Sequence, residues 1–280
     1  MYVTMLEICK RAMEGGYGVT APNVYDDNSI YACIAAAEEL NAPMILDLGY
    51  GMGQGRFDDM VKMAIEACRN AKVPVCINLD HGGSYEHCVA AIRAGMSSIM
   101  ADRSQLPFEE NVAQVAELVK IAHVSNVTVE AELGHVGQGM QYDADRDAGL
   151  TDPAEAKAFV DQTGVDCLAI AMGTAHGVYK GEPHLDFDLL AKIRKEIPNT
   201  PLVLHGGSGT GDENLARSTR EGIAKVNIFT DLSLAGVAAL REAGLPENTS
   251  ILGATQTMIA GYKDKLVHYM KLFNMENKAW

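Results

Sequence analysis

Three histidines, His81, His176 and His205, each stand just beyond a different short apolar run of the sequence. Three imidazoles brought together with an open fourth position make a catalytic zinc arrangement. An ion so held acts as a Lewis acid on a substrate carbonyl or hydroxyl. Asp80 sits directly before His81, and an acid beside such an ion is suited to proton transfer, or else to orienting the histidine. Asp102 follows the fourth apolar run, and Glu132 ends the fifth between Ala131 and Leu133. Glu132 reads as an alternative metal ligand, a carboxylate orienting one, or a carboxylate packed against loop donors. A second chemistry lies in His205-Gly206-Gly207-Ser208-Gly209-Thr210-Gly211. Free backbone N–H groups and a hydroxyl ahead of a helix form a nest that favours phosphate. Lys180, four residues after His176, adds a positive charge that could serve the same anion.

The elements that must position these groups alternate regularly. Strand candidates are 17–21, 43–48, 73–79, 98–101, 127–133, 167–172, 201–204 and 224–228. Each is rich in Val, Ile or Leu without strict alternation, as strands buried on both faces of a parallel sheet read. Helical periodicity runs through 28–40, 56–70, 85–94, 108–125, 153–163, 186–196 and 213–221. Thr151-Asp152-Pro153 and Asp212 supply helix-start chemistry. Eight strands alternating with helices predict a single (β/α)8 barrel spanning residues 1–280, with extra helices in the tail from Asp231. A doubly wound sheet is the alternative, but no glycine-rich dinucleotide fingerprint follows the first strand.

In a barrel the active groups sit at the C-terminal ends of the strands, and all three histidines fall there. Asn227 and Thr230, at the end of the eighth strand, add donors where barrels often hold phosphate. The remaining histidines are plainer. His87, His123 and His268 lie within predicted helices, His184 reads as loop surface, and His135 opens the one long connection, 134–149. That polar, glycine-rich connection has the character of an active-site lid.

The net charge of −14 over 280 residues argues against nucleic acid or an anionic membrane surface as partner. No apolar stretch approaches a membrane span, the N-terminus lacks signal-peptide character, and the six cysteines form no C-x-x-C pair. A cytoplasmic location is expected.

These motifs, in this order, resemble the class II (zinc-dependent) ketose-bisphosphate aldolases, the fructose- and tagatose-bisphosphate aldolases. The matching stretches are 79–82, 107–111, 129–134, 173–181, 201–209 and 225–228. The resemblance implies retro-aldol cleavage of a sugar phosphate to dihydroxyacetone phosphate and an aldehyde, and the reverse condensation. It implies Zn2+ on His81, His176 and His205, polarising the ketone, with Asp80 as acid/base at the C4 hydroxyl. Gly177, Gly206, Gly207, Ser208, Asn227, Ile228, Phe229 and Thr230 match the dihydroxyacetone phosphate contacts, and Asp102 and Glu132 match carboxylates near the metal. It further implies a homodimer or homotetramer.

The departures from the family cluster on the other half of the substrate. The loop after the fifth strand usually carries Gly-Gly-x-Glu-Asp, whose glutamate exchanges the C3 proton. Here Gly137–Gln141 has no carboxylate, leaving Asp143, Asp145 or His135 as substitutes. The serine after the second strand is absent from Ile45–Tyr50, where Asp47 would repel a phosphate or accept a hydrogen bond from a neutral aldehyde if it points into the site. The arginine for the second phosphate is missing from 248–266, leaving Arg103 or Arg146 of a neighbouring subunit as sources. The dihydroxyacetone phosphate half reads as intact and the aldehyde half as rebuilt. Two further readings are an ordinary fructose- or tagatose-1,6-bisphosphate aldolase that anchors the second phosphate differently, and a non-catalytic protein that binds metal and sugar phosphate.

Overall fold

A computed structural model describes residues 1–52, 55–141, 149–181 and 183–280. Asp143, Asp145 and Arg146 lie outside the described residues.

The barrel strands are β1 (Val19–Pro22), β2 (Met44–Gly49), β3 (Val75–Asp80), β4 (Ser98–Ala101), β5 (Thr128–Leu133), β7 (Cys167–Ile170), β9 (Leu202–Leu204) and β10 (Ile223–Ile228). All pair in parallel, in the order β1-β10-β9-β7-β5-β4-β3-β2. A parallel bridge between Asn23 and Asp47 closes the ring, and the Val24 N–H donates to the Asp47 carbonyl at 2.8 Å. The expected (β/α)8 barrel is therefore the observed one, with strand ends moved by at most two residues.

Helices α2 (Asp27–Glu39), α3 (Phe57–Asn70), α4 (Tyr85–Ala94), α5 (Phe108–Val124), α6 (Pro153–Thr163), α7 (Phe187–Glu196) and α8 (Asp212–Arg220) alternate with the strands. Their starts follow the side chains. Asp152 caps α6 with Pro153 in the first turn, and the Asp186 carboxylate accepts from the Leu189 N–H at 2.8 Å. Asp212, expected just before α8, is instead its first residue, because Gly211 holds the preceding position with φ 89°.

The sequence reading did not assign α1 (Met5–Gly15), whose Thr4 and Glu7 form a reciprocal capping box. It lies across the N-terminal end of the barrel and packs against β1, β3 and β10. Its buried face of Met5, Ile8, Cys9 and Ala12 joins the core. The tail forms α9 (Thr230–Glu242) and α10 (Ile251–Leu272), as its periodicity suggests. Helix α10 packs on α9, α2 and β1, burying Tyr262, Leu266, Tyr269 and Met270.

One further pairing lies at the opposite, C-terminal end of the barrel. β6 (Gly137–Gln138) and β8 (Ala175–His176) form a two-stranded parallel sheet. The connection after β5 is thereby joined to the segment that carries His176.

Candidate active site

Strand β3 ends on Asp80, and His81 follows with φ 48°. Strand neighbours ordinarily face opposite sides, but this left-handed turn lets both side chains face the same cavity. Such a conformation costs a non-glycine residue about 1 kcal/mol or more, and it is held here by the Gly82 N–H donating to the Met100 carbonyl at 3.0 Å. The cavity, about 210 Å³, opens at the C-terminal end of the strands. Asp80, His81, His176 and Asn227 form its floor, with Asn23 and Met52 on the β1–β2 side. Gly177, Gly206, Gly207, Ser208, Phe229 and Thr230 form the opposite wall.

The three histidine rings converge. His81 and His205 centroids lie 4.7 Å apart, His81 and His176 5.0 Å, and His176 and His205 5.9 Å. His205 is fully buried behind the other two. Its Nδ1 is 3.1 Å from His81 Nε2, while each outer nitrogen already has a carboxylate partner. His81 Nδ1 bonds Asp102 at 2.8 Å, and His205 Nε2 bonds Glu130 at 2.7 Å. With both outer nitrogens donating, the two rings in their neutral form present facing lone pairs, which a cation between them would satisfy. Their separation suits two ligands sharing an ion at bonds of about 2.0–2.1 Å. His81, Asp102 and Glu132 make an overlapping group, and Glu132 Oε2 is buried with no hydrogen-bond partner. A divalent ion fits this donor set.

Asp80 is held from two sides. Asn23 Nδ2 donates to its Oδ2 at 2.7 Å and Asn227 Nδ2 to its Oδ1 at 3.1 Å. Burial favours its neutral form, but His81, His205, Lys225 and the Asn23 bond outweigh burial and keep its pKa below the usual carboxylate value. Burial likewise opposes the charge on His81, yet Asp80 and the bond to Asp102 push its imidazolium up to about 10. His205 is driven well below the usual imidazole value by burial and by the positive charges around it.

The opposite wall is built from backbone. A Cβ on Gly207 would meet Val226 Cγ1 at 2.7 Å and the Asn227 carbonyl at 2.8 Å, so only glycine lets the loop after β9 lie this close to β10. The Ser208 hydroxyl accepts from the Phe229 and Asp231 N–H groups at 3.3 and 3.1 Å. It pins that loop to the first turn of α9, whose N-terminal partial positive charge faces the cavity beside Thr230.

Several sequence expectations change. Ile228 is fully buried and packs beneath Gly207, so its side chain does not reach the cavity. Lys180 is exposed and absent from the cavity wall, because the Lys180 N–H bond to the Gly139 carbonyl, at 2.9 Å, fixes it along the β6–β8 edge. Asp47 is fully buried inside the barrel, facing Lys225 at 3.4 Å and accepting from Asn78 at 2.9 Å, so no aldehyde reaches it. Arg103 is also buried; it donates to the Gly82 and Asp102 carbonyls and to Gln114, and is not free to serve a neighbouring subunit. His135 stands beside Glu132 at 3.7 Å, outside the cavity wall. Glu130, one of the polar residues near the strand ends, and Lys225, in the matching stretch 225–228, carry no assigned site role in the sequence reading. Their signal is a charged residue inside an otherwise apolar run, two positions before Glu132 and Asn227 near the ends of their strands.

A family model described as "Fructose-bisphosphate aldolase class-II" matches residues 3–278. The chain belongs to the class II fructose-bisphosphate aldolase family. A probable fructose-bisphosphate aldolase of Bacillus subtilis (strain 168) is 40% identical over 287 aligned positions, covering 99% of both chains. A fructose-bisphosphate aldolase of Geobacillus stearothermophilus is 43% identical over 245 positions, covering 86% of this chain and 85% of the relative. The crystal structure of the YdjI aldolase from Escherichia coli K12 superposes with a TM-score of 0.90 at 34% identity, over the full length of both chains. The family is one of aldehyde-lyases of carbohydrate metabolism that use a divalent metal, and the present site has the donors to hold one. Among the described residues no helix is long and apolar enough to cross a membrane.

Proposed function

We propose that this aldolase cleaves a ketose phosphate reversibly into dihydroxyacetone phosphate and an aldehyde. The observation that carries the reading is one cavity in which Asp80 and converging histidines face a glycine nest at the N-terminus of α9. His81, His176 and His205 would hold the ion, zinc by the chemistry of an all-imidazole set, with Asp102 and Glu132 close by. Bound there, the ion supplies Lewis acidity at the ketone oxygen. Gly206, Gly207, Ser208 and the first turn of α9 would bind the phosphate, with Gly177 and Asn227 toward the ketone. Asp80, held in place by Asn23 and Asn227, takes the proton from the C4 hydroxyl as the C3–C4 bond breaks. The electron pair stays with the ketone half, and the C4 half leaves as the aldehyde.

The aldehyde half meets a different wall. No Lys or Arg lines the cavity among the described residues, and Met52 stands on the β1–β2 side. We read the preferred aldehyde as one without a phosphate. A soluble, cytoplasmic homodimer or homotetramer is the assembly we expect.

The test is zinc-loaded protein mixed with dihydroxyacetone phosphate and a panel of plain and phosphorylated aldehydes, with products identified. Carbon–carbon bond formation is expected, fastest with a plain aldehyde. No product from any aldehyde would overturn the aldolase reading, and faster turnover of glyceraldehyde 3-phosphate would overturn the aldehyde assignment.

A further inference from the structure

Beneath the site lies a second layer of inward-facing polar residues, all fully buried. Lys225 Nζ is 2.9 Å from Glu130 Oε2 and 3.4 Å from Asp47 Oδ2. Asn78 donates to Asp47 Oδ1 at 2.9 Å and accepts from the Ser98 hydroxyl at 2.7 Å. The other Glu130 oxygen, Oε1, faces His205 Nε2 at 2.7 Å. The layer is related to the site by the two-residue period of the strands. Asn78 lies two before Asp80, Glu130 two before Glu132, and Lys225 two before Asn227.

We infer that Glu130, fixed by Lys225, is a positioning residue that locks His205 in the tautomer with its Nδ1 lone pair aimed at the three-histidine centre. Lys225 donates to one Glu130 oxygen, leaving the other with no role but to accept, so His205 Nε2 must carry the hydrogen. A second contact gives the same answer independently. Asn227 Nδ2 must be the amide's donor end, because it lies 3.1 Å from the Asp80 carboxylate. The same Nδ2 lies 3.3 Å from His205 Nδ1, which therefore faces a donor and holds a lone pair. Burying two carboxylates and a lysine away from the surface is costly, and the cost is offset only where geometry and partners are fixed. Such a layer therefore holds one arrangement of His205 rather than several. A carboxylate behind a ligating imidazole also raises its basicity toward a metal.

This inference rests on the reading of His205 as a metal ligand, and the experiment separates the two. The first measurement is 15N NMR of the histidine rings in the metal-free, full-length protein, which needs no variant. The Nε2–H tautomer at His205 is expected; an Nδ1–H tautomer there would overturn the inference whatever the protein does with metal. The second is zinc affinity by chelator competition. In Glu130→Gln the amide cannot serve both neighbours: its oxygen toward His205 turns its NH2 against Lys225, and the reverse forces the wrong tautomer. Zinc affinity should fall about 10–100-fold. The double variant Glu130→Gln/Lys225→Met removes the opposing ammonium and should recover part of that loss, which a merely structural defect would not. Unchanged zinc affinity in folded Glu130→Gln overturns the inference. Wild-type protein that binds no zinc at all overturns the ligand reading, and with it the inference.

Discussion

The two walls of the cavity are built from different materials. On the β9–β10 side the groups are backbone: Gly206, Gly207, the Ser208 turn and the first turn of α9. On the β1–β2 side they are side chains: Asn23 held against Asp80, and Met52 folded back by the Met52 N–H bond to the Gly49 carbonyl, at 2.9 Å. A backbone nest carries fixed dipoles and favours an anion whatever side chains surround it. A wall of amide and thioether offers no charge and favours a neutral group. One substrate bridging the two walls is thus expected to be anionic at one end and uncharged at the other.

The largest effect should come from breaking the centre that both walls share. His205→Ala should bring zinc content and cleavage to background together; a variant holding full zinc would remove His205 from the ligand set. Next comes Asp80→Asn, which keeps the shape but loses the proton acceptor. Turnover should drop by ~10²–10⁴-fold, the usual range for a general acid–base residue. Affinity for phosphoglycolohydroxamate, a dihydroxyacetone phosphate analogue, should hold, and an equal loss of both would mean that Asp80 binds rather than transfers.

Ser208→Ala sharpens the comparison from the anion side. The Phe229 and Asp231 N–H groups lose their acceptor and the loop its pin, so analogue binding should weaken by ~1–3 kcal/mol. Unchanged affinity would place the phosphate elsewhere. The smallest effect is expected on the uncharged side. Fructose or tagatose 1,6-bisphosphate should be cleaved with kcat/KM below ~10⁴ M⁻¹s⁻¹, the low end of ordinary enzymes. Met52→Arg should raise that value by up to about tenfold, one charged hydrogen bond at ~1.5 kcal/mol. Fast cleavage by the unaltered protein would dissolve the contrast between the walls.

How much of this the sequence shows depends on what each part is made of. The strands are legible because parallel strands buried on both faces must be continuous apolar runs, as in Met44–Leu46 or Cys167–Ile170. The histidines are legible because strand ends in a barrel share one rim. That Asp80 and His81 face one way is not legible, since it turns on a left-handed φ that histidine rarely adopts. Nor is the fate of Asp47. Two positions before the rim, it reads from sequence alone like a site carboxylate, and only the closed ring reveals Lys225 across from it. The pairing of β6 with β8 depends on two loops distant in sequence meeting, and local pattern carries no trace of it.

The last long helix leaves a mark on the order in which the site can be completed. Tyr262 of α10 donates to the Asn23 carbonyl at 2.9 Å, and Tyr269 donates to Asp231, whose carboxylate also accepts from the Gly209 N–H. One helix thus braces both walls, reaching Asn23 on one side and the phosphate loop on the other. A nascent chain halted at residue 250 would hold all eight barrel strands, Asp80 and the three histidines of the site, and still lack both braces. Competence to bind substrate should therefore arrive with α10 rather than with the closing of the barrel.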